Sequence, residues 1–169
     1  GTSTEGPKPE VLRGVATSHS NNTVIISGTA DQKVTVTTAT NTEPTYQLTN
    51  GFIAGSWNEA GNTEGNKVAI SNAVINGSGH IMGGFVVNEA QSPAEGDTDS
   101  EVALKSIGHT AQNNTVAIAD STVNASIYGG YVMFKADANP DPENGPAEEE
   151  RGVDRASGNT IALHNTQVT

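Results

Sequence analysis

The sequence predicts an all-β protein, a parallel β-helix (β-solenoid) of about four irregular coils with long edge loops. One order of elements recurs at intervals of 44 to 48 residues, and repeats of that length are typical of solenoids. A strand with alternating apolar residues opens each repeat, and a turn-forming Gly, Asn or Asp follows it. An antiparallel sandwich also fits Thr-rich strands with Gly turns, but it does not explain why the order of elements repeats.

The first element of each repeat is a short strand that begins with asparagine. The four starts lie at Asn22, Asn66, Asn114 and Asn159, separated by 44, 48 and 45 residues. Apolar residues stand two and four positions later, namely Val24 and Ile26, Val68 and Ile70, Val116 and Ile118, Ile161 and Leu163. Period two places them on one face of a strand, which we expect to point inward. Stacked coils would set the four asparagines above one another, and we expect their amides to form a hydrogen-bonded ladder.

A turn residue and a second short strand follow. Gly28, Asn72, Asp120 and Asn165 are the residue types that best accept a left-handed or turn conformation. The second strand is predicted over 73–76, 121–124 and 166–169, and its inward position is held by Ile75, Val123 and Val168.

The third element contains a glycine pair between apolar residues. It reads Ile-Ala-Gly-Ser-Trp at 53–57, Ile-Met-Gly-Gly-Phe at 81–85 and Ile-Tyr-Gly-Gly-Tyr at 127–131. The glycines should permit a sharp bend or a close approach between stacked strands. Trp57, Phe85 and Tyr131 are expected to stack as an aromatic column.

The predicted organisation is a loosely docked lead-in over 1–10, which contains Pro7 and Pro9, and a single β-solenoid over 11–169. Coils start near residues 22, 66, 114 and 159. The first coil carries an extra stretch over 31–50, and its Val-Thr-Val-Thr run fits either an additional strand or an inserted hairpin. The sequence stops inside a repeat, and we expect the chain to be a fragment of a longer protein.

Loops of unequal length interrupt the repeat at 58–65, 88–112 and 134–157, and they contain 14 of the 19 acidic residues. They leave the repeat at equivalent points, so we expect them to emerge along one edge. Insertions on one side of a repeat protein often mark its binding surface. The predicted partner-binding residues are therefore Asp97, Asp99, Glu101, Asp137, Asp141, Glu143, Glu148, Glu149 and Glu150. Some of these carboxylates could hold Ca²⁺, but their spacing matches no EF-hand, and loop solvation is the favoured role.

Composition excludes several classes of function. The net charge of −11 disfavours binding to nucleic acid or to an anionic membrane surface. There is no cysteine, so no disulfide, thiolate nucleophile or Cys-based zinc site can form. Apolar residues make up only 34% of the chain, which suits a solenoid because only a narrow inner column is buried.

No catalytic or cofactor site is predicted. The four histidines form no HExxH or equivalent metal-binding pattern. Ser78 and His80 are close in the sequence, but they lack an orienting acid and a nucleophile elbow. Two carboxylates across a groove would suit a glycosidase, whereas the acidic residues here cluster in loops. The sequence favours a protein that is not an enzyme and that needs no cofactor.

The repeat resembles a known family at Asn114-Thr115-Val116-Ala117-Ile118 and Ile127-Tyr128-Gly129-Gly130-Tyr131. This phrase is similar to the passenger-domain repeats of bacterial autotransporter proteins, and the similarity covers about residues 11 to 169 apart from the long loops. Arg13 departs from it, because the first glycine of the pair is expected there.

The resemblance implies a right-handed parallel β-helix displayed outside the bacterial outer membrane and serving adhesion. It implies as partners a host or bacterial surface protein or glycan, together with neighbouring repeats of the same longer chain. The alternatives are a purely structural spacer and a carbohydrate-active β-helix enzyme.

Overall fold

The computed structural model describes residues 17–38, 40–45, 48–58, 61–88, 109–134 and 154–169. Within these ranges every regular element is a strand. In chain order the strands are β1 (Thr17–Ser20), β2 (Thr23–Ser27), β3 (Val34–Thr37), β4 (Thr40–Thr45), β5 (Leu48–Asn50), β6 (Phe52–Ala54), β7 (Trp57–Asn58), β8 (Gly61–Glu64), β9 (Lys67–Ser71), β10 (Ala73–Asn88), β11 (Thr110–Gln112), β12 (Thr115–Ala119), β13 (Thr122–Phe134), β14 (Arg155–Ser157), β15 (Thr160–His164) and β16 (Gln167–Val168). The prediction of an all-β fold is confirmed.

The strands form three parallel sheets and one antiparallel pair. Sheet A has the order β1-β8-β11-β14, and sheet B has the order β2-β9-β12-β15. Sheet C runs β3-β10-β13-β16, and β6 and β7 also pair with β10. Each sheet therefore takes its strands from four successive repeats: repeat 1 (17–58), repeat 2 (61–88), repeat 3 (109–134) and repeat 4 (154–169).

Sheet B contains the four strands that the sequence predicted from the asparagine starts. They pair without a register shift, so Val24, Val68, Val116 and Ile161 lie in one row across the sheet. Val68 and Val116 are fully buried, whereas the side chain of Ile25 between the two apolar positions of β2 is 72% exposed. The predicted alternation of buried and outward residues is correct.

Sheet C corrects the prediction of separate second and third strands. In repeats 2 and 3 the two predicted elements are one continuous strand, β10 and β13. The pairing of β10 with β13 shifts between Ile75 and Gly79, because β10 has two extra residues there. Gly77 and Ser78 take φ angles of 106° and 55° at this point, so the glycine-rich segment forms a bulge within a strand.

Sheet A was not predicted. The loops predicted over 58–65, 88–112 and 134–157 end earlier, because their last residues form β8, β11 and β14. These strands read GNTE, TAQ and RAS and carry no alternation of large apolar residues. The side chains that they bury are small, as at Thr63 and Ala111, both of which have 0% exposure.

The extra stretch of repeat 1 is resolved into two parts. Strand β3 pairs with Ala73–Asn76 and is therefore the equivalent of the second strand in later repeats. Strands β4 and β5, in contrast, pair only with each other in antiparallel fashion. The insertion is thus a hairpin that follows an ordinary repeat strand.

The main core is formed by residues of sheets B and C. Its buried members are Val68, Ile70, Ala73, Ile75, Ile81, Val116, Ile118, Val123 and Ala125. A second apolar cluster contains the buried residues Met82, Phe85 and Val87, with several partly buried aromatic residues packed on it. Because the repeats contribute equivalent residues, each apolar side chain contacts a similar one in the next repeat.

Turn residues at two positions of the repeat take the left-handed conformation. Asn72, Asp120 and Asn165 have φ angles of 47°, 51° and 44°, as the sequence predicted for the position after the sheet B strand. The residue before each ladder asparagine behaves in the same way, and it is Asn21, Gly65, Asn113 and Gly158 in the four repeats. Gly28, which holds the position after the sheet B strand in repeat 1, is not among the residues with positive φ. In repeats 2 to 4 both ends of the sheet B strand are therefore marked by a residue with positive φ.

Candidate functional site

A buried asparagine ladder joins all four repeats. The Oδ1 atom of Asn66 accepts hydrogen bonds from the backbone N–H and the Nδ2 of Asn22, each at 2.9 Å. Asn66 donates in the same way to Asn114 at 3.0 Å, and Asn114 donates to Asn159 at 2.9 and 3.1 Å. Asn66 and Asn114 have 0% exposure. The predicted hydrogen-bonded ladder is present, and it fixes the register of neighbouring repeats.

The ladder amides also bind sheet A. Nδ2 of Asn66 donates to the carbonyl of His19 at 2.9 Å, and Nδ2 of Asn159 donates to the carbonyl of Ala111 at 2.8 Å. Nδ2 of Asn114 lies 3.3 Å from the carbonyl oxygen of Thr63. These three asparagines therefore connect sheet B of their own repeat to sheet A of the repeat before it.

The second glycine of each pair provides space for this ladder. A Cβ atom on Gly84 would lie 2.7 Å from Cγ and Nδ2 of Asn114. A Cβ atom on Gly130 would lie 2.5 Å from Oδ1 of Asn159. The glycine pairs thus permit a close approach between repeats, as expected. In repeat 1 the same position is held by Ser56, whose Oγ is buried without a hydrogen-bond partner.

The predicted aromatic column is present in sheet C. Trp57, Phe85 and Tyr131 are register partners, and the ring of Phe85 lies between the other two. Its centroid is 6.3 Å from that of Trp57 and 5.6 Å from that of Tyr131. Phe85 is fully buried, whereas the side chain of Trp57 is 39% exposed. The column stabilises stacking and leaves one aromatic residue accessible at its end.

The attachment points of the two acidic segments, 89–108 and 135–153, are stacked on each other. Asn88 and Phe134, from which the segments leave sheet C, are register partners. Thr110 and Arg155, where the chain re-enters sheet A, are also register partners. The segments contain five and six of the acidic residues. Both therefore begin and end at the same corner of the stacked sheets.

His109 and Asp154 connect the two points of re-entry. The backbone N–H of His109 donates to Oδ1 of Asp154 at 3.0 Å, and Nδ1 of the ring lies 3.8 Å from the same oxygen. Arg155 donates its backbone N–H to the carbonyl of His109 at 3.0 Å. The corner from which the acidic segments project is thus held by hydrogen bonds between repeats 3 and 4.

All nine predicted partner-binding residues, Asp97, Asp99, Glu101, Asp137, Asp141, Glu143, Glu148, Glu149 and Glu150, lie outside the described residues. The predicted lead-in over 1–10 also lies outside them. The structure therefore places the ends of the two acidic segments, and the positions of the carboxylates stay predictions.

Ser78 and His80 do not form a catalytic pair. The hydroxyl of Ser78 donates to Oδ1 of Asn124 at 3.2 Å, and Nδ1 of His80 is buried without a hydrogen-bond partner. Among the described residues no group of three or more His, Asp or Glu side chains is arranged to hold a metal ion.

Comparison with protein-family models, with curated proteins and with solved structures gave no match. Within the described ranges there is also no helix of the length and hydropathy needed to cross a membrane. The chain must therefore be judged from its own residues, and the corner that carries the acidic segments is the best candidate for a functional site.

Proposed function

We propose that this chain is part of the passenger domain of a bacterial autotransporter, in which a right-handed parallel β-helix presents acidic loops to a partner at the cell surface. The partner is a host or bacterial surface protein or a glycan. The observation that carries the proposal is the register pairing of Asn88 with Phe134 and of Thr110 with Arg155. This pairing brings the ends of two acidic segments to one corner.

The fold part of the proposal rests on the order of the sheets. Each repeat contributes first to sheet A, then to sheet B and then to sheet C, and in repeat 1 the contribution to sheet C is divided among β3, β6 and β7. Winding through three parallel sheets in turn is the path of a β-helix. Crossover connections between parallel strands of one sheet are right-handed in about 98% of cases, and that rule supports the right-handed form.

The binding part of the proposal rests on charge. Segment 89–108 has five acidic residues and one lysine, and segment 135–153 has six acidic residues, one lysine and one arginine. Two such segments at one corner create a negative potential stronger than either alone. A basic patch on the partner complements this potential, and the contact should weaken as salt is added.

The proposed role does not involve turnover. The conspicuous regularities of the described residues, namely the asparagine ladder, the glycine pairs and the aromatic column, all serve stacking between repeats. A purely structural spacer is the second candidate, and the continuous ladder of Asn22, Asn66, Asn114 and Asn159 favours it because a rigid rod needs such a register device.

Shortened connections provide the test. In repeat 1 the corresponding connection leaves sheet C at Asn58, the register partner of Val86, and reaches Gly61 through only residues 59 and 60. Replacing 89–108 and 135–153 by short Gly-Ser linkers should therefore leave the sheets intact. The labelled native chain should bind to a panel of host and bacterial cells, and the shortened chain should lose that binding. A matched control keeps both segments but changes their acidic residues to Asn or Gln.

Each outcome of this experiment is informative. Loss of binding in both variants supports an acidic binding surface. Equal binding by the native and the shortened chain contradicts it, and no binding by any form favours the spacer. Release of reducing ends or unsaturated sugars from a polysaccharide panel would overturn the assignment as a protein that is not an enzyme.

A further inference from the structure

The imidazole ring of His109 has a buried nitrogen that makes no hydrogen bond. His109 directly precedes β11 and is only 7% exposed. Its Nδ1 atom is buried and has no hydrogen-bond partner. An unpaired polar atom in this state costs free energy, and native proteins almost always pair such atoms. The nitrogen therefore points to a group that binds there.

The carboxylate of Asp154 faces this nitrogen. Oδ1 of Asp154 lies 3.8 Å from Nδ1 of His109, which is too far for a hydrogen bond. The same oxygen accepts the backbone N–H of His109 at 3.0 Å, so the carboxylate is held in place by the backbone beside the ring. Two electron-pair donors, one nitrogen and one oxygen, thus face each other across a short gap.

The gap has the width that a zinc ion needs. Zinc binds imidazole nitrogen and carboxylate oxygen at about 2.0–2.2 Å, and a tetrahedral ion that holds both sets them about 3.4 Å apart. The observed separation of 3.8 Å comes close to this value, and a small rotation of the imidazole ring closes the difference. Imidazole nitrogen is a preferred ligand of zinc, whereas Ca²⁺ takes oxygen ligands.

The surroundings of the pair also favour a cation. The two acidic segments re-enter the sheets at residues 109 and 154, and they contain five and six acidic residues against one and two basic ones. Their charge raises the local concentration of cations at this corner. Arg155 follows Asp154 and is exposed, and its side chain points to the other face of the strand.

We infer that His109 and Asp154 are the protein ligands of a zinc site that joins repeat 3 to repeat 4. Nδ1 of His109 and Oδ1 of Asp154 bind one Zn²⁺, and water completes the coordination. Because only two side chains of the described residues take part, the affinity is modest. The inference concerns this pair and does not rest on the proposed binding of a partner by the acidic segments.

The test adds Zn²⁺ to the untagged full chain and follows the four histidine rings by long-range ¹H–¹⁵N NMR. Zn²⁺ should shift the Nδ1 resonance of one ring, which His109→Gln identifies by its loss, and should raise the urea midpoint of unfolding. Asp154→Asn keeps an oxygen that can accept the backbone N–H of His109 but removes the charge. It should leave the metal-free midpoint nearly unchanged and weaken Zn²⁺ binding at least about tenfold. Ca²⁺ at the same concentration should not shift the ring.

Two comparisons separate this site from general binding of Zn²⁺ to carboxylates. His109→Gln keeps both acidic segments, so any Zn²⁺ that it binds belongs to them. His164→Gln changes an exposed histidine of β15 and should leave the affinity unchanged. If His109→Gln does not fold by circular dichroism, Asp154→Asn carries the comparison.

Three results overturn the inference. The first is equal Zn²⁺ affinity of the native chain and Asp154→Asn. The second is a Zn²⁺-dependent shift confined to a histidine other than His109. The third is a native chain whose ring resonances and urea midpoint do not respond to Zn²⁺, because the gap then holds no metal ion.

Discussion

Asn66 donates both its backbone N–H and its side-chain amide to a single oxygen, Oδ1 of Asn114, at 3.0 Å. Both residues have 0% exposure, so each depends on the other for these hydrogen bonds in the folded chain. A buried donor without an acceptor costs about 1–3 kcal/mol. The ladder is therefore a sensitive point in the stack, and its interior and its end should respond differently to mutation.

Asn114→Ala should lower the free energy of unfolding by about 3 kcal/mol or more, because it leaves two buried donors on Asn66 unsatisfied. Asn22→Ala is the matched control, because Asn22 is exposed at the end of the ladder. That variant should lose only about 1 kcal/mol. Urea unfolding followed by circular dichroism measures both values, and equal losses would show that burial of the ladder does not matter.

Val116→Asp should prevent folding or cost several kcal/mol, since it places an unpaired carboxylate in the main core. Ala117→Asp lies one residue further along β12, on the outward side, and should change stability by less than about 1 kcal/mol. Thermal unfolding of the two variants compares the two sides of one strand. Similar stability of both variants would contradict the assigned inward register.

Gly84→Ala should destabilise the chain because the added Cβ would lie 2.7 Å from the side chain of Asn114. The reverse change is available in repeat 1. Ser56→Gly removes a buried hydroxyl that has no hydrogen-bond partner, and it should leave stability unchanged or increase it. Unfolding midpoints in urea check both expectations, and stabilisation by Gly84→Ala would mean that the ladder does not pack against the glycine pair.

Phe85→Ala should cost about 3–5 kcal/mol because it removes a fully buried ring from the middle of the aromatic column. Tyr131→Ala should cost less, because Tyr131 is only partly buried. The single tryptophan, Trp57, reports the change directly, since its ring lies 6.3 Å from Phe85. A fluorescence spectrum of Phe85→Ala that matches the native one would argue against this stacking in solution.

The sequence predicted those parts of the fold in which a structural role can be filled by only a few residue types. Period-two apolar residues after Asn66 and Asn114 gave the correct register of sheet B, because large apolar side chains must alternate there. The turn at Asn72 and Asp120 was equally predictable, since few residue types tolerate positive φ.

The parts that were missed lack such a signal. Sheet A buries Thr63 and Ala111, and small or polar residues show no apolar alternation. The continuity of β10 was also missed, because the residue types that form the bulge at Gly77 and Ser78 are those typical of a turn. Gly65 and Gly158 also take positive φ, and glycine is a residue type expected in turns. They were missed because turns were predicted only after the sheet B strands, and these glycines come before them.

The acidic corner could be predicted only in outline. The position of the three loops after the third element predicted that they leave the repeat at equivalent points, and the pairing of Asn88 with Phe134 confirms this for two of them. The connection of repeat 1 leaves two residues earlier, because Asn58 pairs with Val86. Which carboxylate would meet a partner depends on the conformations of the segments themselves, and those have no periodicity from which to reason.

The corner between sheets C and A also has a use in protein engineering. Its connection has two residues after Asn58, twenty after Asn88 and nineteen after Phe134. Asn88 and Phe134 are register partners, and Asn58 pairs with Val86, two residues before Asn88. The entropic cost of closing a loop grows only slowly with its length. Foreign peptides could therefore be grafted at residues 59 and 60, one repeat away from the natural insertions, to display an antigen or an affinity tag on the same set of sheets.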